Sequence, residues 1–292
     1  MEILKLVDAV CLAGSNKNED SIGYGKDFIF VIDGATGLRG VNIMGMRSDA
    51  EWFSKRLAEQ LQIYLRNDAW SIQEILYMSL KQIREEYFAV LQNHPGIQPD
   101  YPSAGIVIFR ERNGYLESFR LGDCVGVVRY KSGKIALMKE ENLVKLDKYA
   151  IDCQVKMAKM NGISVREARP LINDVLIKNR DKLNTPGGYW ILEPQGVGIP
   201  YGEYRKFDLD KIESISCMSD GYFAALEVYK MMKNYTEFQD ILINGGCAKV
   251  VKGMFTIQEN DKDFNKYPRF KFRDDASAVV AKFKKINNLD RL

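Results

Sequence analysis

The chain has 292 residues and a mass of 33.4 kDa, enough for one large domain or at most two. Its hydrophobic fraction of 46% and charged fraction of 28% are those of an ordinary globular protein, and a net charge of +3 makes no electrostatic case for nucleic acid or an anionic membrane. No apolar run approaches the ~20 residues of a membrane span, and the opening MEILKLVDAVCLAG is interrupted by charge, unlike a signal peptide.

Five cysteines without a CxxC pair read as free thiols in a reducing compartment, so a cytoplasmic location is expected. The basic C-terminal stretch reads as a solvated face. The single histidine, His94, lies in the turn-rich QNHPGIQPDYP. It excludes His-rich zinc or iron sites and leaves a Ser-His-Asp or Cys-His catalytic group only one base.

In chain order, Ile3–Leu12 reads as a strand, followed by the loop GSNKNED. FIFVID, residues 28–33, is an apolar run of strand length stopped by Gly34. Ser48 with Glu51 and Ser71 with Glu74 have capping-box spacing, each ahead of a helix. The first carries a mostly apolar stripe of Phe53, Leu57, Gln60, Leu61 and Tyr64, and the second an apolar one of Ile72, Leu76, Leu80, Ile83, Tyr87 and Leu91.

Four strands follow, at residues 104–110, 115–121, 125–130 and 134–138. Their connections are too short for parallel crossovers, so neighbours are antiparallel. Residues 140–182 turn helical, with a third capping box at Ser164 and Glu167 and a kink or interruption expected at Pro170. Strands are expected again at 188–192 and 214–219, helices near 224–233 and 238–251, and a final strand at 276–283. Gly245-Gly246 should break a helix. Strands flanked by helices and mostly antiparallel imply an α+β layered sandwich, one domain spanning 1–292 with a helical insert at about 140–182.

Five short acidic motifs mark the ends of these strands: NEDS (18–21), VIDGATG (31–37), LGDC (121–124), MSDGY (218–222) and RDDAS (273–277). Each alone has the bland reading of a turn, because Asp, Asn and Gly are favoured there. Together they differ. Several carboxylates at one end of a buried sheet repel one another unless cations neutralise them. With no clustered His or Cys, those cations should be hard, Mg or Mn rather than Zn. Two such ions about 3.5–4 Å apart suit in-line attack on a phosphoryl group.

In this order the motifs NED, DG, GD, SDG and DD resemble those of the metal-dependent Ser/Thr protein phosphatases of the 2C type, the PPM family, and particularly its bacterial single-domain members. PSAGIVIFR and NTPGGYW are further similarities, and the last motif is usually Asp-Asn in the family. The resemblance spans Asn18 to Phe283. It implies a four-layer α-β-β-α sandwich of two mainly antiparallel sheets flanked by helices, with two Mn or Mg ions and a weaker third.

Carried over residue by residue, Asp33 would bridge both ions and the Gly34 carbonyl would bind the second. Asp220 and Asp274 would hold the first. Asp20 would contact ion-bound water with support from Glu19, and Asp123 with Asp20 and Asp220 would hold the third. Asn18 and Asp275 would lie one layer further out, and the insert at 140–182 would be the family's mobile flap. The implied activity is hydrolysis of phosphoserine and phosphothreonine in proteins by a metal-bridged hydroxide, opposing a Ser/Thr kinase, in a monomer.

One position departs from the family pattern. Ser15 stands where members carry the arginine that binds the substrate phosphate, and Lys17, Arg39 and Arg47 are the candidate stand-ins. That gap supports an alternative, a catalytically weak or inactive pseudophosphatase acting as a regulatory binding module. A small phosphoester is a further alternative substrate.

Overall fold

The computed structural model describes residues 2–95 and 101–285. Residues 96–100 of the loop after His94, and the basic stretch beyond 285, lie outside the described residues. Those described form ten strands and seven α-helices in two antiparallel sheets. One sheet has the order β1 (Glu2–Leu12), β10 (Ala276–Lys285), β9 (Ile212–Met218), β6 (Val125–Tyr130) and β7 (Ile135–Met138). The other has the order β2 (Asp20–Tyr24), β3 (Phe28–Ala35), β4 (Ser103–Arg112), β5 (Tyr115–Leu121) and β8 (Glu203–Asp208).

The apolar run at β3 is continuous because both faces of the strand are buried. Ile29 and Val31 pack with Val107, Phe109, Ile215 and Val279 between the two sheets. Phe28, Phe30 and Ile32 point the other way, onto α1 (Asp49–Tyr64) and α2 (Ile72–Gln92), where they meet Phe53, Leu57 and Leu76. On the far side, Val127, Ala278 and Val280 pack under α5 (Asp220–Glu227), α6 (Tyr235–Ile243) and α7 (Cys247–Glu259). The result is the α+β sandwich of four layers, helices outside and sheets inside. No helix among the described residues is long and apolar enough to cross a membrane.

Several local expectations are corrected. The edge strands β2 and β8 form where no strand was expected. β8 is exposed at alternate residues and rich in charge, the composition that edge strands use against aggregation. The segment 188–192 is not a strand. Gly187 has a φ of +78°, and a Cβ on Gly188 would overlap the Lys182 carbonyl, so the chain turns back on itself. Leu192 instead bridges Ala104, a position on β4 beyond the end of the β5 ladder.

Of the capping boxes, Ser71 and Glu74 close reciprocally at α2. Ser48 caps α1 through the Glu51 amide, but the Glu51 carboxylate pairs with Lys55 at 2.5 Å instead of reaching back. Ser164 and Glu167 bond reciprocally, yet open only turns and a 3-10 segment at Arg169–Ile172, interrupted at Pro170, before α4 (Asn173–Arg180). The helix expected near 224–233 is α5, which begins four residues earlier and stops at Glu227 ahead of Lys230, whose φ is +50°. Residues 238–251 divide into α6 and α7 at Asn244–Gly246.

Candidate metal centre

All five acidic motifs arrive at the same end of the sandwich. In β3 the residues facing the other sheet are 29 and 31, so Asp33 continues that face into the space between the sheets. Asp20 opens β2 directly opposite Asp33 in the antiparallel register. Asp123 sits in the tight turn from β5 to β6, where Gly122 has a φ of +78°. Asp220 follows β9 as the first residue of α5, and Asp274 precedes β10.

Glycines make the convergence sterically feasible. A Cβ on Gly105, the β4 residue paired with Asp33, would overlap Asp123 Oδ1. A Cβ on Gly221 would come within 3.0 Å of the Asp274 Cβ. A Cβ on Gly34 would stand 2.6 Å from the Glu19 carbonyl, which accepts the Gly34 N–H at 3.1 Å.

The electrostatics are those of a site short of positive charge. Oxygens of Asp33 and Asp123 and the Cys124 sulfur lie within 4.8 Å of one another. Burial, and then the charges of Asp20, Asp220 and Asp123, push the Asp33 carboxyl well above its usual range. Burial and Asp220 do the same at Asp123. Asp20 is 3% exposed and is pushed up to about 8 by burial, in spite of the Ser277 hydroxyl nearby. Desolvation in the recess and the adjacent Asp274 charge raise Asp220, although its side chain opens to solvent on the cavity side.

Other groups brace this cluster. Asp275 accepts the Gly14 N–H at 2.8 Å and the Glu19 N–H at 2.7 Å, tying the loop before β2 to the start of β10. Glu19 is buried and receives Lys17 Nζ at 2.8 Å together with the Thr36 and Ser48 hydroxyls. Asn18 accepts the Asp20 N–H at 3.1 Å and contacts the Cys11 sulfur. Of the candidate phosphate-binding residues, Lys17 is thus engaged by Glu19. Arg39 pairs with Asp181 at 3.0 Å, and Arg47 borders a separate surface depression beside Ser15. His94 is exposed past α2, its ring facing the Val90 carbonyl.

Two residues at the site had no signal in the sequence. A cavity of about 520 Å³ opens onto the cluster through Asp123, Asp220 and Asp274, and it is also lined by Asp147 and Lys271. Asp147 comes from α3 (Asn142–Asn161), and burial followed by the Asp220 and Asp274 charges pushes it up to about 7. Lys271 Nζ lies 2.8 Å from Asp274 Oδ1. Neither belongs to a motif; a helical aspartate and a loop lysine are unremarkable until the fold aims them at one place. Leu143, Val144, Ile151, Phe223 and Phe270 form an apolar wall.

The donor set fits divalent ions. Both Asp20 oxygens and Asp123 Oδ1 are buried without a hydrogen-bond partner among the described residues, a costly arrangement unless a cation supplies the missing interaction. The converging ligands are carboxylate oxygens, the choice of Mg and Mn. The Cys124 thiol, held protonated by burial and the Asp33 charge, is a poor competitor.

Solved structures share this fold. The PstP serine/threonine phosphatase catalytic domain in complex with 2 manganese ions is 13% identical, with a TM-score of 0.54 over 98% of this chain and 100% of that one. The serine/threonine phosphatase Stp1 of Staphylococcus aureus is 14% identical, with a TM-score of 0.53 over 98% of each chain. PppA of Pseudomonas aeruginosa is 12% identical, with a TM-score of 0.53 over 97% of this chain and 100% of that one. Among curated proteins, none matches the sequence. The family model of protein phosphatase 2C matches residues 11–245, most of the chain and four of its five acidic motifs, and the chain belongs to that family.

Proposed function

We propose that the chain is a Mn- or Mg-dependent phosphomonoester hydrolase that removes phosphate from phosphoserine and phosphothreonine in proteins. The observation that carries this reading is the convergence of Asp20, Asp33, Asp123, Asp220 and Asp274 on one end of both sheets, under a cavity open to a substrate. Family membership and the two manganese ions of the PstP structure support it.

In this reading Asp33, the Gly34 carbonyl, Asp220 and Asp274 would hold two ions, and Asp20 and Asp123, with Asp220, would hold a weaker third. When bound, the ions neutralise the carboxylates and supply Lewis-acid polarisation of a phosphate ester and of water.

The remaining work falls to the chain. Asp275 and Glu19 fix the loop that carries Asp20. The start of α5 aligns backbone N–H groups with Asp220, whose ionised form they favour. The apolar wall of Leu143, Val144 and Phe223 limits water beside the ester. Residues 1–292 act as one phosphatase-like domain, with 140–182 as the flap beside the site. The substrate is a phosphoprotein of a Ser/Thr kinase, in the cytoplasm, and the enzyme is a monomer.

The test is turnover of a phosphothreonine peptide and of an aryl phosphate. Activity should require Mn or Mg, vanish with chelator and vanish in Asp220→Ala. Turnover that ignores chelation would sink the proposal.

A further inference from the structure

We propose that Lys271 is a cation that grips the substrate's phosphoryl group, from the opposite side of the site to Ser15's depression. The inference rests on the reading of this cavity as a phosphatase centre. A phosphate monoester brings close to two negative charges to a site built of carboxylates. Bound ions offset the carboxylates, but a fixed donor is still needed to orient the oxygens that they do not touch.

The three basic residues singled out from the sequence do not line the cavity over the carboxylates. Lys17 is held by Glu19 and Thr36. Arg39 lies with Asp181, Tyr101 and Glu193 around a different depression. Arg47 borders another, with Asn18 and Lys55. None of the three lines the cavity that opens on Asp123, Asp220 and Asp274.

Lys271 does. Its ammonium is 2.8 Å from Asp274 Oδ1, which uses one of three N–H donors, and its side chain is 58% exposed, so the other donors face an accessible space.

The segment that presents it is anchored. Arg269 donates to Asp261 Oδ2 at 2.7 Å, to the Asp261 carbonyl at 2.8 Å and to the Phe272 carbonyl at 3.1 Å. Asp275, four residues on, holds Gly14 and Glu19. The backbone around Lys271 is therefore fixed while its side chain can swing from Asp274 to an entering phosphate. A lysine supplies a point charge where the family's arginine supplies a planar fork, so it should confer affinity with less orientation.

The experiment is calorimetric titration of the Mn-loaded protein with inorganic phosphate, for wild type, Lys271→Met and Lys271→Arg. It is paired with Mn affinity and with KM and kcat on a phosphothreonine peptide. Lys271→Met should weaken phosphate binding and raise KM by about tenfold or more, the loss of one charge-assisted hydrogen bond. Its Mn affinity should be unchanged or tighter, and Lys271→Arg should retain phosphate binding.

Wild-type phosphate binding by Lys271→Met overturns the assignment, as does a wild-type protein that binds no phosphate. Loss of Mn binding in Lys271→Met also overturns it, because the lysine would then merely hold Asp274 in place. If phosphate binding depends on Lys271 but no ester is hydrolysed, the phosphatase reading fails and the grip stands. If hydrolysis proceeds and Lys271→Met leaves KM and phosphate binding unchanged, the grip fails alone.

Discussion

Asp20 and Asp33 stand directly opposite each other on the adjacent antiparallel strands β2 and β3, on the face that looks between the two sheets. Like charges at facing positions destabilise a sheet, and here Asp20 is buried and Asp33 partly so. The arrangement makes physical sense as a site that gives up stability in the metal-free state for affinity toward cations.

It follows that Asp33→Asn raises the melting temperature of the metal-free protein, by about 2–4 °C for each kcal/mol of repulsion relieved. The same variant loses the stabilisation that Mn confers on the wild type. Thermal melts with and without Mn check both halves; a variant less stable than wild type without metal would count against the repulsion.

The pH dependence has a definite sign. Asp20 is pushed up to about 8 and Asp147 to about 7, above the ordinary value of 3.8. A carboxyl whose folded-state pKa is raised binds its proton more tightly in the folded state. Its contribution to stability is therefore full below pH about 4 and is lost as pH rises through 7 to 8. The melting temperature of metal-free Asp20→Asn should match wild type near pH 4 and exceed it increasingly toward pH 8. Mn binding near pH 6.5 should release protons, read by calorimetry in buffers of different ionisation enthalpy.

Gly105 offers a steric probe of the same centre. Its missing Cβ leaves the space that Asp123 Oδ1 occupies. Gly105→Ala should cost roughly 1–3 kcal/mol as an overpacking change and displace Asp123. Combining it with Asp123→Ala should recover most of that loss, a coupling measurable in a double-mutant cycle. Additive losses would show that the clash is relieved elsewhere.

Glu19 tests the brace rather than the centre. Its carboxylate gathers Lys17, Thr36 and Ser48, joining the β2 loop, the end of β3 and the start of α1. Glu19→Ala should destabilise by roughly 1–3 kcal/mol, since it leaves the buried Ser48 hydroxyl without its acceptor. Glu19→Gln, whose amide oxygen still accepts, should lose less. Denaturant unfolding of the two variants decides.

What could be read beforehand follows from where the physics is local. β3, β4 and β6 contain apolar runs because both faces are buried, and such runs are visible without knowledge of their partners. β2 and β8 are the two edges of their sheet, short or charged, so their strand character comes from a neighbour's ladder. Ser48 and Glu51 look like a capping box, but Glu51 turns to Lys55 and the capping Ser48 donates its hydroxyl to Glu19, 29 residues away in sequence.

The site divides in the same way. Asp33, Asp123, Asp220 and Asp274 flank strands that were legible and so could be anticipated as a group, whereas Asp20 opens β2, which was not. Asp147 and Lys271 reach the cavity from a helix face and a loop, and only tertiary packing brings them there. Ser15, exposed next to Gly14, shows what was absent from the site without showing what replaces it.

The central claim is that these carboxylates are a divalent metal centre, and the most direct measurement is calorimetric titration of wild type and Asp33→Ala with Mn. The account predicts saturable binding by wild type with proton release, and its loss in Asp33→Ala. No binding by the wild type at millimolar Mn would contradict it, and would favour a phosphatase fold that works as a regulatory binding module.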